Sequence, residues 1–508
     1  MGQRKIVIGV DGGTTAVKAV AFSIDGKVLE VRHEQVPVIY GTNGEAEQDM
    51  NAIWDGVARC LRGVTGALPD DEILAVGLTG QGDGVWLVDE AGKPVRNAAI
   101  WLDGRASKRV DRWTSEGLAD DVLAVTGTNV FGGLFPVLYE ELRDREPDTI
   151  ARAATQLYCK DWLRFKLTGE RLTDFTEASR TYLDVRTAKG YSEALLEKLG
   201  QTDALPLLPP VLRSDALGGK VSREAAAQTG VPAGTPVGIG MIDIAVTGMG
   251  LGAIENGEGW LILGTTGFVG TLLPTLEDRR SDASMVVATG RGTQVLEFLA
   301  PMTGTPNLDW IRKVLGLGGV SWQDIESLAC SSKPGSGGVI YLPYASPGGE
   351  RAPFLDTAAS ASWMGMSLTT PDSDILRAVY EGVAWSLVEC IDALHMEQTL
   401  IVSGGGFRSD LLCEILADAT GQTVLRQDAP EAGARGAAVL ALVSAGVASD
   451  VKEAAGMLEV GVQEFKPKPE NFDIYRRTHA VYVNARKAIQ PVWPEMRTLR
   501  REAEARDE

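Results

Sequence analysis

The sequence predicts an α/β protein of two similarly built domains that face each other across a cleft. Three observations carry this expectation. First, Ile6-Val7-Ile8-Gly9-Val10 reads as a buried strand, Gly12-Gly13 as a tight turn, and Val17 to Ile24 as a returning strand closed by Asp25-Gly26. Second, the order of strand, Gly-Thr turn and strand recurs about 250 residues later, in Trp260-Leu261-Ile262-Leu263-Gly264-Thr265-Thr266-Gly267-Phe268-Val269. Third, 508 residues is a length for about two to four domains, each able to bury its own core. The boundary is expected near residue 254, which gives an N-terminal domain over 1–253, a C-terminal domain over 254–490 and a charged tail over 491–508 that frays from Glu495 onward.

In the first hairpin, Gly12 and Gly13 let backbone N–H groups approach an anion with no Cβ in the way. Thr14 and Thr15 add hydroxyl donors and Lys18 a positive charge. Asp11 ends the first strand, where a carboxylate can hold a metal that bridges phosphate oxygens. Met50 to Val64 has the spacing of an amphipathic helix with Ile53, Val57 and Leu61 on one face. Ile73 to Thr79 is a buried strand leading into Gly80-Gln81-Gly82-Asp83-Gly84, and Ala98 to Leu102 is a short strand that leads into Asp103-Gly104-Arg105. Ligands bind beyond strand carboxyl ends in open α/β sheets. The Gln81 amide, the Asp83 carboxylate, the flat Trp101 indole and the polar groups of Asp103 and Arg105 suit a small ligand bearing hydroxyls; a turn capped by Asp83, a core Trp101 and a solvated pair of Asp103 with Arg105 are the alternatives.

Residues 111–203 read mainly as helix, and Leu205 to Pro210 as connecting chain. Gly240 to Gly250 is a small-residue helix with a single carboxylate, Asp243, near its start; a first-turn Asp also serves to satisfy free helix N–H groups. Further on, Leu308 to Leu315 and Asp374 to His395 read as helices, and Leu400 to Val402 as a buried strand ending in Ser403-Gly404-Gly405-Gly406. Ser409 to Thr420 is the next helix. A triglycine between strand and helix lets a planar base or a ribose lie directly on backbone. Gly433 to Ala438 begins a small-residue helix able to pack closely.

The formal charge of −19 argues against non-specific binding to nucleic acid or to anionic membranes, whose phosphates require a basic face. Five cysteines, odd in number and without a Cys-x-x-Cys pair, suggest neither a disulfide framework nor a zinc site, so a reducing cytoplasm is expected. With three histidines in the chain, carboxylates are the better candidates for proton transfer. No apolar run reaches the length of a membrane span.

In order along the chain stand Asp11-Gly12-Gly13-Thr14-Thr15 with Lys18, Trp101-Leu102-Asp103-Gly104-Arg105, Asp161-Trp162, Thr173-Asp174 and Asp243 with Gly250. Gly264-Thr265-Thr266-Gly267, Gly349-Glu350-Arg351, Glu381-Gly382 and Ser403-Gly404-Gly405-Gly406 through Ser409 to Asp418 complete the set. Together they resemble the FGGY family of carbohydrate kinases, within the sugar kinase, Hsp70 and actin superfamily. The resemblance implies two RNase-H-like (actin-like ATPase) domains around a central cleft, with ATP and Mg²⁺ on one side and a small sugar or polyol on the other. It implies Asp11 for the metal, both Gly-Thr turns for the phosphates, Gly404, Gly405 and Gly406 with Ser409 for the adenosine, and Asp243 as catalytic base. Such phosphoryl transfer rests mostly on positioning and charge stabilisation.

This chain departs from the family at two places. Phe135 to Glu140 stands where a Lys-Leu-x-Trp signature is expected. Glycerol kinases carry Gln-Arg-Glu, and xylulose kinases Gln-Met-His-Gly, where this chain has Gln81-Gly82-Asp83-Gly84. An ionised Asp83 only accepts hydrogen bonds and so suits a hydroxyl better than a ketose carbonyl. Gly-Asp-Gly-x-Trp resembles erythritol-type kinases, while the whole-chain pattern sits equally with pentulose kinases. Two other readings stay open here: an actin-like ATPase or sensor that phosphorylates no sugar, and a pseudokinase. Whether the chain forms a homo-oligomer is also open.

Overall fold

The computed structural model describes residues 3–429, 431–458 and 460–507. Two mixed sheets repeat one plan. In the first, Lys5–Gly12, Ala16–Ser23 and Val28–Gln35 form an antiparallel meander; Glu72–Gly80 lies parallel on the other side of Lys5–Gly12, followed by Pro236–Gly238 in parallel and Leu217–Lys220 antiparallel at the edge. In the second, Gly259–Leu263, Gly267–Leu273 and Val295–Leu299 form the meander. Leu400–Ser403 and Val424–Gln427 continue in parallel, and Met285–Ala288 and Val462–Phe465 close the two edges. Three antiparallel strands continued by two parallel ones is the RNase-H-like plan, present twice.

Alternation along the strands divides the interior. Ile6, Ile8 and Val10 face one core and Val7 faces another, as a period of two requires, and all four are fully buried. The outer core of the first sheet is covered by Met50–Ala67 and Cys159–Thr168. Met50–Ala67 turns Ile53, Val57, Leu61 and Val64 inward and is capped by Asp49, which accepts from Asn51 N at 2.8 Å. The outer core of the second sheet is covered by Asp372–Ala393 and Asp410–Thr420.

Two small-residue helices, Asp243–Gly250 and Ala432–Ser444, fill the space between the sheets. Their shared core joins Val7, Val20 and Ala75 of the first sheet to Trp260, Leu296 and Phe298 of the second. A Cβ at Gly9 or Gly77 would stand 1.9 Å from the carbonyl oxygen of Ala434 or Ala437, and one at Gly436 would stand 2.0 Å from Val246 O. Backbone therefore packs on backbone here. The layers run helices, sheet, two helices, sheet, helices.

The segment expected to be mainly helical contains Ser107–Glu116, Leu118–Thr126, Phe135–Arg145 and Glu193–Lys198 around a separate core of Val85, Leu87, Trp113, Phe135 and Tyr182. The expected fraying tail is different. Trp493–Asp507 is a helix whose first residue, Trp493, is fully buried, with its ring 5.5 Å from that of Tyr344 and 6.3 Å from that of Phe354. Arg497 then donates to Thr357 Oγ1 at 2.8 Å. A buried indole outweighs the charge of the residues that follow it; Glu508 lies outside the described residues. Among the described residues, no helix is long and apolar enough to cross a membrane.

Candidate active site

Three parallel strand ends of the first sheet meet at one point. Lys5–Gly12 delivers Asp11, Glu72–Gly80 delivers the Gln81 loop, and Met241–Ile242, which pairs with Thr79 and Gly80, delivers Asp243. Hydrogen bonds fix that last strand from both sides: Thr79 Oγ1 donates to Met241 O at 2.8 Å, and Ile242 N donates to Thr176 Oγ1 at 2.9 Å. Thr176 in turn donates to Asp174, whose other partners are Ser214 and the fully buried Lys160 at 2.9 Å. Lys160 and Arg164 also hold Asp161, at 2.7 and 2.9 Å. These buried hydrogen bonds stiffen the turn that carries Asp243.

Asp243 is the first residue of its helix, with Ile242 in the cap position, and its Oδ1 accepts from Ile244 N at 2.7 Å. Burial pushes its carboxyl up to about 7, the charges of Asp11 and Asp83 add to this, and the Ile244 N–H opposes it. Asp11 is pushed to about 6, again by burial, with Lys18 lowering it and Glu431 raising it. Among the described residues, neither carboxylate forms an ion pair.

The residues expected at the sugar side divide into three groups. Asp83, with a left-handed φ of 61°, is clamped by Arg180, whose Nε and Nη2 donate to its two oxygens at 2.8 and 3.0 Å. Arg180 was not among the expected residues. It follows Asp174 on a short helical turn and is brought to Asp83 from 97 positions away. Trp101, 38 % exposed, donates from its indole N–H to Thr14 Oγ1 at 2.9 Å; Thr14 donates to Gln81 Oε1 at 3.1 Å, and Gln81 donates to Gln48 Oε1 at 2.6 Å. This chain ties the first glycine turn to the Gln81 loop. Asp103 and Arg105 form the third group, and they serve each other: Arg105 Nε donates to Asp103 Oδ1 at 2.8 Å and Arg105 Nη2 to Oδ2 at 2.7 Å, while Ala46 N occupies Oδ2 as well. Arg105 also reaches Glu47 at 2.5 Å, so Asp103 and Arg105 form a bidentate pair of the same kind as Asp83 and Arg180.

A second residue that sequence reasoning missed is Glu177. Fully buried beneath Gly82, it has no partner for either carboxylate oxygen among the described residues, and burial holds it well above the usual carboxylate range. A Cβ at Gly82 would stand 2.0 Å from Ile242 Cδ1 and 3.3 Å from Glu177 Oε2, so a larger residue there would displace the Ile242 side chain.

In the second sheet, Gly264 N donates to Thr266 O at 3.0 Å and closes the turn, leaving Thr265 and Thr266 exposed. Thr305 N donates to Gly264 O at 2.8 Å, which joins this turn to a cavity of about 970 Å³ walled by Thr305, Leu308, Trp322, Tyr380, Gly405 and Gly406, with Ser409 at its rim. Ser409 Oγ accepts from Leu412 N at 3.1 Å and caps its helix. A second cavity, of about 610 Å³, lies against Gly404 and Gly405 and is walled by Arg426 and Glu431. Gly404 has φ 103°, and a Cβ there would stand 2.7 Å from Leu263 O, so the strand end and the glycine turn touch through backbone. Lys18 reaches across from the first sheet, its Nζ 2.9 Å from Glu431 Oε2.

Two acid groups near neutrality at the strand ends of one sheet, and exposed threonines with a glycine-walled cavity on the other, can bring a hydroxyl and a nucleoside polyphosphate together. Comparison with known proteins agrees. The "FGGY family of carbohydrate kinases, N-terminal domain" matches residues 6–250, and the C-terminal domain of the same family matches residues 259–445. The chain is 32% identical to an erythritol kinase of Brucella abortus over 97% of this chain and 98% of that protein. It is 28% identical to a probable L-xylulose kinase of Pasteurella multocida over 95% and 99%. The structure of a xylulose kinase from Lactobacillus acidophilus superposes with a TM-score of 0.88 at 24% identity, covering 97% of this chain and all of that one. An ATPase or pseudokinase that phosphorylates no sugar is not favoured, and the chain belongs to the FGGY family of carbohydrate kinases, phosphotransferases with an alcohol acceptor.

Proposed function

We propose that the protein transfers the γ-phosphoryl group of ATP to a hydroxyl of a small polyol, a four-carbon alditol of the erythritol type. The observation that carries this choice is the clamped Asp83: a carboxylate fixed by Arg180 beside Asp243 offers acceptors, which favour hydroxyl donors over a ketose carbonyl. The similarity to a protein named erythritol kinase over nearly the full chain supports the same choice.

In this reading Asp243 takes the proton of the attacking hydroxyl as that oxygen bonds to the γ phosphorus and the bond to the ADP oxygen breaks. A carboxyl near 7 is matched to that task at neutral pH. Gly12, Gly13 and Thr15 in one hairpin and Gly264, Thr265 and Thr266 in the other face the phosphates together with Lys18. Thr14 transmits position to Gln81 and Trp101, which line the sugar side with Asp83. Asp103 and Arg105 hold the Trp101 loop in place. Gly404, Gly405 and Gly406 with Ser409 form one wall for the adenosine. Asp11, an oxygen donor without an ion pair among the described residues, suits Mg²⁺, which is commonly held by one or two carboxylates plus substrate phosphates. When bound, that ion neutralises polyphosphate charge. A boundary near residue 254, with the sugar on the N-terminal side and the nucleotide on the C-terminal side, and a cytoplasmic location belong to the same reading.

A coupled ADP-release screen over tetritols, pentitols, pentuloses and glycerol tests it. The highest kcat/KM is expected with erythritol. A pentulose or glycerol used in preference overturns the choice of substrate.

A further inference from the structure

Lys18 stands opposite Asp11 in the antiparallel register of the first hairpin, so both side chains leave the same face. The ammonium of Lys18 is nevertheless engaged by a residue 413 positions further along the chain, Glu431, at 2.9 Å. Glu431 immediately precedes the Ala432–Ser444 helix, holds a left-handed conformation with φ 64° and ψ 41°, and makes no side-chain bond to the helix N–H groups. A glutamate has no local preference for that region, and its carboxylate is directed to Lys18 instead of capping the helix. Glu431 also walls the cavity beside Gly404 and Gly405, and it acts on Asp11 with the sign opposite to that of Lys18. An acidic group therefore occupies a cation within the cradle assigned above to phosphate.

We propose that Glu431 and the polyphosphate of ATP exchange Lys18. The inference rests on the reading that Lys18 faces the phosphates. The ion pair is partly exposed, 36 % at Lys18 and 22 % at Glu431, so it is weak and readily broken. A polyphosphate carries more charge than one carboxylate and takes the ammonium on binding. When ADP leaves, Glu431 takes the ammonium back, which lowers the cost of release. Lys18 is thus never left without an anion, and nucleotide affinity is held below what a free lysine would give.

The test is ADP affinity by titration calorimetry on the full chain, for the parent, Lys18→Met, Glu431→Gln and the double variant. Glu431→Gln is expected to bind ADP about 1.5- to fivefold more tightly, the range of a partly exposed ion pair. The gain is expected to vanish in the Lys18→Met background. Lys18→Met that binds ADP as well as the parent overturns the phosphate reading of Lys18, and the exchange with it. With Lys18→Met weakened, unchanged or weaker binding by Glu431→Gln overturns the exchange alone. So does a gain that persists without Lys18, which is plain repulsion. Glu431→Asn, a residue at home in the left-handed region, repeats the measurement if the Gln variant melts early.

Discussion

Asp243 separates two roles that a first-turn aspartate can have. The Oδ1 of an Asn can accept from Ile244 N as that of Asp243 does, so a purely structural Asp243 would leave turnover near normal in Asp243→Asn. As general base its loss is expected to lower kcat by about 10²-fold or more, with both ligands still bound. The pH profile gives a second handle. Because burial and the neighbouring carboxylates raise Asp243 to about 7, the base is protonated below that point, and kcat/KM is expected to fall with acidification from about pH 7. The same shift acts on stability with a definite sign. Between the ordinary carboxylate range and about 7 the folded chain holds a proton that the unfolded chain has lost, so Asp243 destabilises the fold increasingly as pH rises through that window. Asp243→Asn is expected to melt above the parent at pH 8 and level with it at pH 4. A variant that melts below the parent at pH 8 assigns Asp243 a structural role.

At the scale of elements, the strands and helices were legible because their periods of two and 3.6 are written in local sequence. Met50 to Val64, Leu400 to Val402 and the repeated Gly-Thr turns fall in the expected elements. What joins elements was not legible. The Arg180 clamp spans 97 positions and the Lys18 to Glu431 pair 413, and no local pattern encodes either. Asp103 and Arg105, two residues apart, do pair with each other, the alternative that local sequence offered beside hydroxyl binding. The charged tail expected to fray from Glu495 continues a helix that starts at the buried Trp493, an anchor that lies just ahead of it. The contact between Asp243–Gly250 and Ala432–Ser444 gives the clearest test at this scale. Gly436→Ala puts a methyl 2.0 Å from Val246 O, which requires the Ala432–Ser444 helix and the helix carrying Asp243 to move apart. Overpacking of this kind costs about 1–3 kcal/mol, and a loss of that size is expected in chemical denaturation together with a fall in kcat. Unchanged turnover would show that the catalytic geometry does not depend on this contact.

For the whole molecule, two sheets of the same plan, with the loops assigned above to sugar and nucleotide on each, are expected to close on their ligands. Small-angle scattering with erythritol and a non-hydrolysable ATP analogue is expected to show a smaller radius of gyration than the protein alone. No compaction at saturation sinks the expectation. The Ala432–Ser444 helix sets how such movement can run, because it comes from the C-terminal half of the chain yet lies against Gly9 and Gly77 of the first sheet. The same helix makes the halves dependent on each other for folding. A fragment ending at residue 254 would leave the inner face of its sheet, Val7, Val20, Phe22 and Ala75, open to water, and is expected to aggregate when expressed by itself. Supplied together with the remainder, it is expected to regain solubility and activity, so that sugar phosphorylation would report whether two separately made polypeptides have met.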